Sequence, residues 1–298
     1  MTTTAVTTAY CDGSSLANFN AWAQWIYDQF IAFGWTQTAD TGQGVIPAVG
    51  SVPSAAGYYV IFQSADALSS TCPITVKLEF FAASSVPSFG LTVGTGGTNG
   101  AGILLFPVSK YMYGGGTYSL KASSSSTTNL LPLYASGDAG NIRFGLWVNS
   151  NTLSADTYNL VYIIISRSRD ATGAQTGSYV QFWCGCGTSK FFQTIFAPPL
   201  GPTNIFDNSG SVIAAVPSSS TSWTQNGNTM AVPIMQNIGG LSNPTPDLLL
   251  VSFTDFTAGN IVVVTVYGVA HTYVVVVTNG VNNFNLQATN CALLMRYE

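Results

Sequence analysis

Residues 261–277 read Ile261-Val-Val-Val-Thr-Val-Tyr-Gly-Val-Ala-His-Thr-Tyr-Val-Val-Val-Val277, the most apolar stretch of the chain. Its reading decides the fold class. As a helix it falls short of the ~20 apolar residues that cross a bilayer, and Thr265, Gly268, His271 and Thr272 interrupt it. Its Val content points the other way, because a side chain branched at Cβ is restricted in a helix and packs well on a pleated sheet. The stretch therefore reads as two adjacent strands, about 261–268 and 271–278, joined at Val269–Ala270, with Asn279–Gly280 as a turn signal after the second.

The same pattern extends through most of the chain. Short apolar runs alternate with Gly, Ser, Pro and Asn punctuation: Tyr58–Gln63, Ile74–Phe81, Phe89–Val93, Ile103–Phe106, Tyr118–Ala122, Asn129–Tyr134, Ile142–Val148, Tyr158–Ser166 and Tyr179–Cys184. Asp170-Ala-Thr-Gly173 is the expected turn of a hairpin between the last two. Beyond Ala197-Pro-Pro-Leu-Gly-Pro-Thr203, strands are expected at Val212–Val216, Met230–Ile234, Leu248–Phe253, Phe284–Ala288 and Leu293–Tyr297, with 240–246 a turn-rich connection. One segment differs. Leu16, Phe19, Ala23, Ile26, Phe30 and Phe33 recur at helical spacing, Ser14 or Ser15 can cap the start, and Gly34 can end the helix in the left-handed conformation. The expected architecture is mainly β. Antiparallel sandwich-like modules are preceded by one N-terminal amphipathic helix at 14–33 within a segment 1–45. A β domain spans 46–196, a Pro/Gly linker 197–203, and a smaller β domain 204–298.

Charge is scarce. The 298 residues include 8 Lys or Arg and 12 Asp or Glu, so 7% are charged, against about 25% in an ordinary domain. The basic residues are scattered, and only Arg167 and Arg169 are close in sequence, so no nucleic-acid partner is expected. The N-terminus, MTTTAVTTAYCDGSS, has neither a basic nor an apolar region and does not read as a secretory signal. Five cysteines, Cys11, Cys72, Cys184, Cys186 and Cys291, do not make a disulfide framework and read as thiols. A surface so poor in charge has little repulsion to hold copies apart, which suits a subunit covered by its neighbours.

Chemistry is hard to find. The single histidine, His271, would have to serve any Ser-His-Asp device, with Asp255 as a conceivable partner, but no nucleophile elbow accompanies it. Cys184-Gly-Cys186 offers two thiols where structural zinc needs four ligands. Gly94-Thr-Gly-Gly-Thr-Asn-Gly-Ala-Gly102 lacks the lysine and the helix of a phosphate loop and reads as a hairpin loop. Asp66/Glu79 and Asp247/Asp255 are glycosidase pairs on numbers alone, and Lys77 and Glu79 share a strand face as an ion pair would. Catalytic residues, cofactor and metal are all expected to be none.

Four segments together resemble virion structural proteins of tailed bacteriophages: Trp25-Ile-Tyr-Asp-Gln-Phe30 with Gly34–Gly42; Ile74–Phe80 with Leu91–Gly96; Arg167-Ser-Arg-Asp170 with Gly173 and Thr176-Gly177; and Gly240-Leu-Ser-Asn-Pro244 with Leu248–Phe253. The resemblance implies a non-enzymatic role in a virion, made in the cytoplasm of the bacterial host. The expected place is the tail, baseplate or fibre-attachment region, with a capsid-accessory protein or a receptor- or carbohydrate-binding module as alternatives. The expected partners are other copies of the chain and other virion proteins, with a host-surface glycan as a further candidate. Interface candidates are the aromatic helix, through Trp22, Trp25, Ile26, Phe30, Phe33 and the adjoining Trp35, and the apolar strand residue Val274. The alternative for the helix is that it covers its own sheet.

Overall fold

The computed structural model describes residues 2–3, 7–9, 16–44, 58–83, 86–112, 131–147, 160–170, 172–186, 189–198, 212–213, 224–225, 228–229, 232–238, 241–252, 260–266, 268–277 and 291–297. Strands are numbered in chain order. The first sheet contains β3 (Thr36–Gln37), β4 (Tyr58–Gln63), β5 (Thr75–Ala83), β6 (Val86–Gly94) and β7 (Pro107–Met112), paired in that order. The second places β1 (Thr2–Thr3) and β2 (Thr7–Ala9) on β8 (Leu131–Asp138), then runs β9 (Asn141–Trp147), β10 (Leu160–Arg169), β11 (Gln175–Cys186) and β12 (Ser189–Phe196). The third is ordered β13 (Val212–Ile213), β16 (Val232–Ile238), β17 (Leu241–Ser252), β20 (Cys291–Arg296), β19 (Val269–Val277), β18 (Ile261–Val266); β14 (Thr224–Gln225) and β15 (Asn228–Thr229) form a small hairpin. Every pairing is antiparallel. The chain is thus mainly β with one N-terminal α-helix among the described residues, α1 (Leu16–Ala32).

The helix ends as its sequence dictates. Gly34 sits at φ +88, its N–H donates to Ile31 O at 2.9 Å, and Trp35 N–H reaches back to Phe30 O at 3.0 Å. This pair of bonds is a Schellman cap, and the accompanying apolar contact is the edge-on packing of Trp35 against Phe30, ring centroids 5.4 Å apart. The expected cap residues Ser14 and Ser15 lie outside the described residues.

The core explains why the helix is so aromatic. Trp22, Ile26, Phe30 and Phe33 form one buried cluster with Val60, Phe62, Val76, Leu78 and Phe80 of the first sheet and Ile142, Phe144, Ile163 and Phe182 of the second. Trp22 meets Phe80, Phe30 stacks on Phe62 with centroids 4.6 Å apart, and Trp25 meets Phe144. The helix is therefore wedged between two sheets, and β7 and β12, the last strands of the two, also approach each other. A second tie is polar: Trp35 Nε1–H donates to Asp138 O at 2.9 Å, where β8 turns into β9.

Arg167 pins the same two sheets. It sits on β10, its side chain fully buried, and its Nε and Nη2 form a two-pronged ion pair with Asp66, which precedes a 3₁₀ turn at Ala67–Ser70. Nη1 donates to Cys72 O at 2.9 Å, and Asn141 Oδ1 accepts from the Arg167 N–H. Asp66 also accepts from Ser69 Oγ at 2.6 Å. Gly140 is obligatory beside this cluster, because a Cβ there would lie 2.3 Å from Asp66 Oδ2.

The third sheet carries its own core of Leu249, Val251, Tyr273, Val275 and Leu294. It touches the second sheet where Ser136 Oγ–H donates to Arg296 O. Three sequence expectations are corrected here. The 261–277 hairpin turns one residue pair earlier, with Val266 paired to Val269 and Gly268 at φ +77. Ile103–Phe106 is not a strand; the strand starts at Pro107. Residues 241–246 are strand despite Pro244 and Pro246. The prolines there fit a strand end at which β20 pairs only with 248–252 and no other described strand lies on that side of β17. The expected strands at Tyr118–Ala122 and Phe284–Ala288 lie outside the described residues.

Candidate interaction surfaces

The helix residues expected at an interface are in the chain's own core. Trp22, Ile26, Phe30, Phe33 and Trp35 are each at most 2% exposed, and Trp25 is half-buried against Phe144. A partner could reach the buried five only by opening the sandwich, so the alternative weighed for this helix, that it covers its own sheets, describes its packing. Val274 is likewise corrected. It lies on the interior strand β19, between β18 and β20, and is 0% exposed.

The neighbouring strand is different. β18 is the outer strand of its sheet, and its side chains alternate exposed and half-buried. Val262, Val264 and Val266 pack on the core of the third sheet. Ile261 and Val263 are 51% and 69% exposed. As an edge strand it turns alternate backbone N–H and C=O groups away from β19, where no described strand receives them. Other sheet edges are blunted in recognisable ways. β3 and β13 have two residues each, β7 begins at Pro107 and carries Lys110, and β12 carries Lys190. β18 has six residues and neither charge nor proline.

A second exposed feature is the glycine-rich loop between β6 and β7. It folds back over the first sheet and is tied down at several points. Asp40 Oδ2 accepts from Thr98 Oγ1 at 2.8 Å, and its Oδ1 accepts from Gly102 N–H at 2.9 Å. Thr41 N–H donates to Gly100 O, and Lys77 Nζ to Gly102 O. Gly102 has φ +81, and a Cβ on it would lie 2.3 Å from the Tyr59 hydroxyl, so both conformation and space require glycine. Burial would raise the Asp40 carboxyl, but hydrogen bonds from Thr38, Gly102 and Thr98 outweigh it and hold the group below its ordinary value. The loop presents Ile103, Leu105 and Phe106 to solvent, with Phe106 at φ +47.

Several of the residues considered for catalysis have structural partners among the described residues. Arg296 Nη2 donates to His271 Nδ1 at 2.9 Å, which occupies one ring nitrogen, and Asp255 lies outside the described residues. Asp66 is held by Arg167, and Glu79 lies 3.9 Å from Lys77, whose ammonium also sits over the Tyr59 ring. Cys184 and Cys186 fall on β11, paired with Ile163 and Val161 of β10. No group of three or more metal-ligating side chains occurs among the described residues, and Cys72 is a buried free thiol whose ionisation burial disfavours. Sequence reasoning missed Asp40 altogether, because its partners Thr98 and Gly102 are 58 and 62 residues away. Compared with protein-family models, curated proteins and solved structures, the chain matches none.

Proposed function

We propose that the chain is a non-enzymatic structural subunit that assembles with copies of itself. The observation that carries this reading is β18, an uncharged strand at the edge of its sheet among the described residues, which exposes Ile261 and Val263 beside backbone groups that no described strand receives. Other edges of the molecule are short, or carry Lys or Pro, which are devices that discourage strand addition. On β18 none of these is present. Antiparallel pairing of β18 with β18 of a second copy continues the sheet across a two-fold axis and satisfies the outward backbone groups of both strands. The scarcity of charge in the whole chain supports the same reading, since contacts between neutral surfaces rest on apolar burial and backbone hydrogen bonds. A phage particle, with a place in the tail, baseplate or fibre attachment, is the setting that the sequence resemblance favours; an outer capsid accessory is the second setting.

The test is oligomeric state by light scattering, comparing the wild-type chain with Val263→Lys. Val263 is largely exposed, so the substitution leaves the monomer fold intact while placing a charge on the edge. An oligomer that falls to monomer in Val263→Lys is the expected result. A wild-type chain that stays monomeric at the highest concentration reached overturns the proposal. Val274→Lys is unsuitable as a probe, because a lysine at that buried position breaks the sheet itself.

A further inference from the structure

A cleft of about 530 Å³ opens where β3, the end of β4 and the glycine-rich loop meet. That volume is within the range of ordinary ligand sites. Its floor is laid by strand register: Thr36 and Gln63 are directly paired across β3 and β4. Gln37, Thr38, Asp40, Ser64 and Thr98 are the other described polar side chains of the lining. Among the described residues, neither the Thr36 hydroxyl nor the Gln63 amide has a hydrogen-bond partner, although Gln63 is half-buried. The other groups are fixed in place. Gln37 Oε1 accepts from Tyr27 Oη at 2.8 Å, and its Nε2 donates to Gln43. Asp40 is held by the Thr98 hydroxyl and the Gly102 N–H.

The chemistry of this lining selects a ligand class. Among the described residues it contains no Lys, Arg or His, so a phosphate or carboxylate would enter without a counter-charge from them. Its one carboxylate is too few for a metal site. Its described apolar side chains are Ala39 and Ala65, and the rest of its apolar surface is the methyls and methylenes of Thr and Gln side chains, interleaved with polar groups in the way that suits a ligand with both C–H and O–H groups. What it offers is a set of hydroxyl, amide and carboxylate groups that both accept and donate, with Gln37 and Asp40 held in position. We propose that the cleft binds a neutral saccharide. Asp40 and Gln63 accept from sugar hydroxyls, and the Gln63 amide and the Thr36 hydroxyl donate to them. Pre-positioning lowers the ordering cost of the contact to Asp40. Among the described residues no aromatic ring lines the cleft for stacking, so binding is weak, with dissociation constants on the order of 1 mM. The site is complete within one chain, so it stands or falls separately from self-assembly.

The experiment is ligand-observed saturation-transfer NMR on the full chain with glucose, galactose and N-acetylglucosamine, repeated with excess inorganic phosphate added as an anion competitor. Saturation transfer to at least one sugar, undiminished by phosphate, is expected. The sugar signal weakens at least tenfold in Gln63→Ala while the unfolding midpoint stays at the wild-type value. Thr36→Val, which exchanges a hydroxyl for a methyl at an exposed position, gives a second reading should Gln63→Ala fold poorly. No transfer to any of the three sugars, transfer abolished by phosphate, or sugar binding untouched by the variants that fold overturns the assignment.

Discussion

Removing the Asp66 carboxylate tests how the two sheets are held together. Asp66→Ala deletes the acceptors of Arg167 Nε, Arg167 Nη2 and Ser69 Oγ, and leaves a guanidinium with 0% side-chain exposure facing only Cys72 O and two serine hydroxyls at 3.3 Å. Breaking a buried pair by removing one partner costs about 3–5 kcal/mol. The Asp66 side chain is 17% exposed, so water can enter the vacated space, and the lower end, about 3 kcal/mol, is expected. Arg167→Met leaves a carboxylate that can turn toward solvent and costs less. The double variant Asp66→Ala/Arg167→Met has no orphaned charge, so its loss is smaller than the sum of the two singles by about 2 kcal/mol. Urea unfolding followed by tryptophan fluorescence measures all four proteins, with the comparison drawn from midpoints at constant m. A loss below about 1 kcal/mol for Asp66→Ala, or additivity within about 0.5 kcal/mol, would refute the clamp.

Phe30→Ala removes the ring stacked on Phe62 and edge-on to Trp35; it is expected to destabilise the monomer by about 3–5 kcal/mol in the same unfolding assay, and a wild-type midpoint would show that the helix is dispensable to the core. Asp40 makes stability acid-sensitive. Its folded-state carboxyl lies below the ordinary 3.8, so its contribution is fully present above that pH and is lost as pH falls through the lower folded value. Asp40→Asn is expected to be less stable than wild type at neutral pH, with the gap closing in the acid range below 3.8. A gap that stays constant through that range contradicts the latch.

Local signals in the sequence reached a long way into the fold. The helical stripe from Leu16 to Phe33, the stop at Gly34 and the strand Tyr58–Gln63 are legible because each depends on neighbours within a few residues. The hairpin on either side of Asp170–Gly173 is legible for the same reason. Strand β12 was missed, since Ser189–Phe196 lacks strict alternation and takes its conformation from pairing with β11. Pro244 misdirected the reading, because the rule against proline in strands lapses where one side of the strand has no described partner.

What faces what was decided only by tertiary structure. An apolar stripe states that a surface is buried and does not state by whom, so Trp22 and Phe30 read equally as an interface or as core until the two sheets closed on them. The valines of 261–277 all look alike in sequence. Sheet order alone makes Val274 interior and Val263 exposed. Arg167 and Asp66 are 101 residues apart, and Asp40 and Gly102 are 62 apart. No periodicity encodes such contacts, because they form between elements whose positions are set by the packing of everything between them. The sequence by itself determined a nearly uncharged β protein with one capped aromatic helix. The tertiary structure decided which of its neutral surfaces are core, and among the described residues left the β18 edge and the polar cleft beside β3 open.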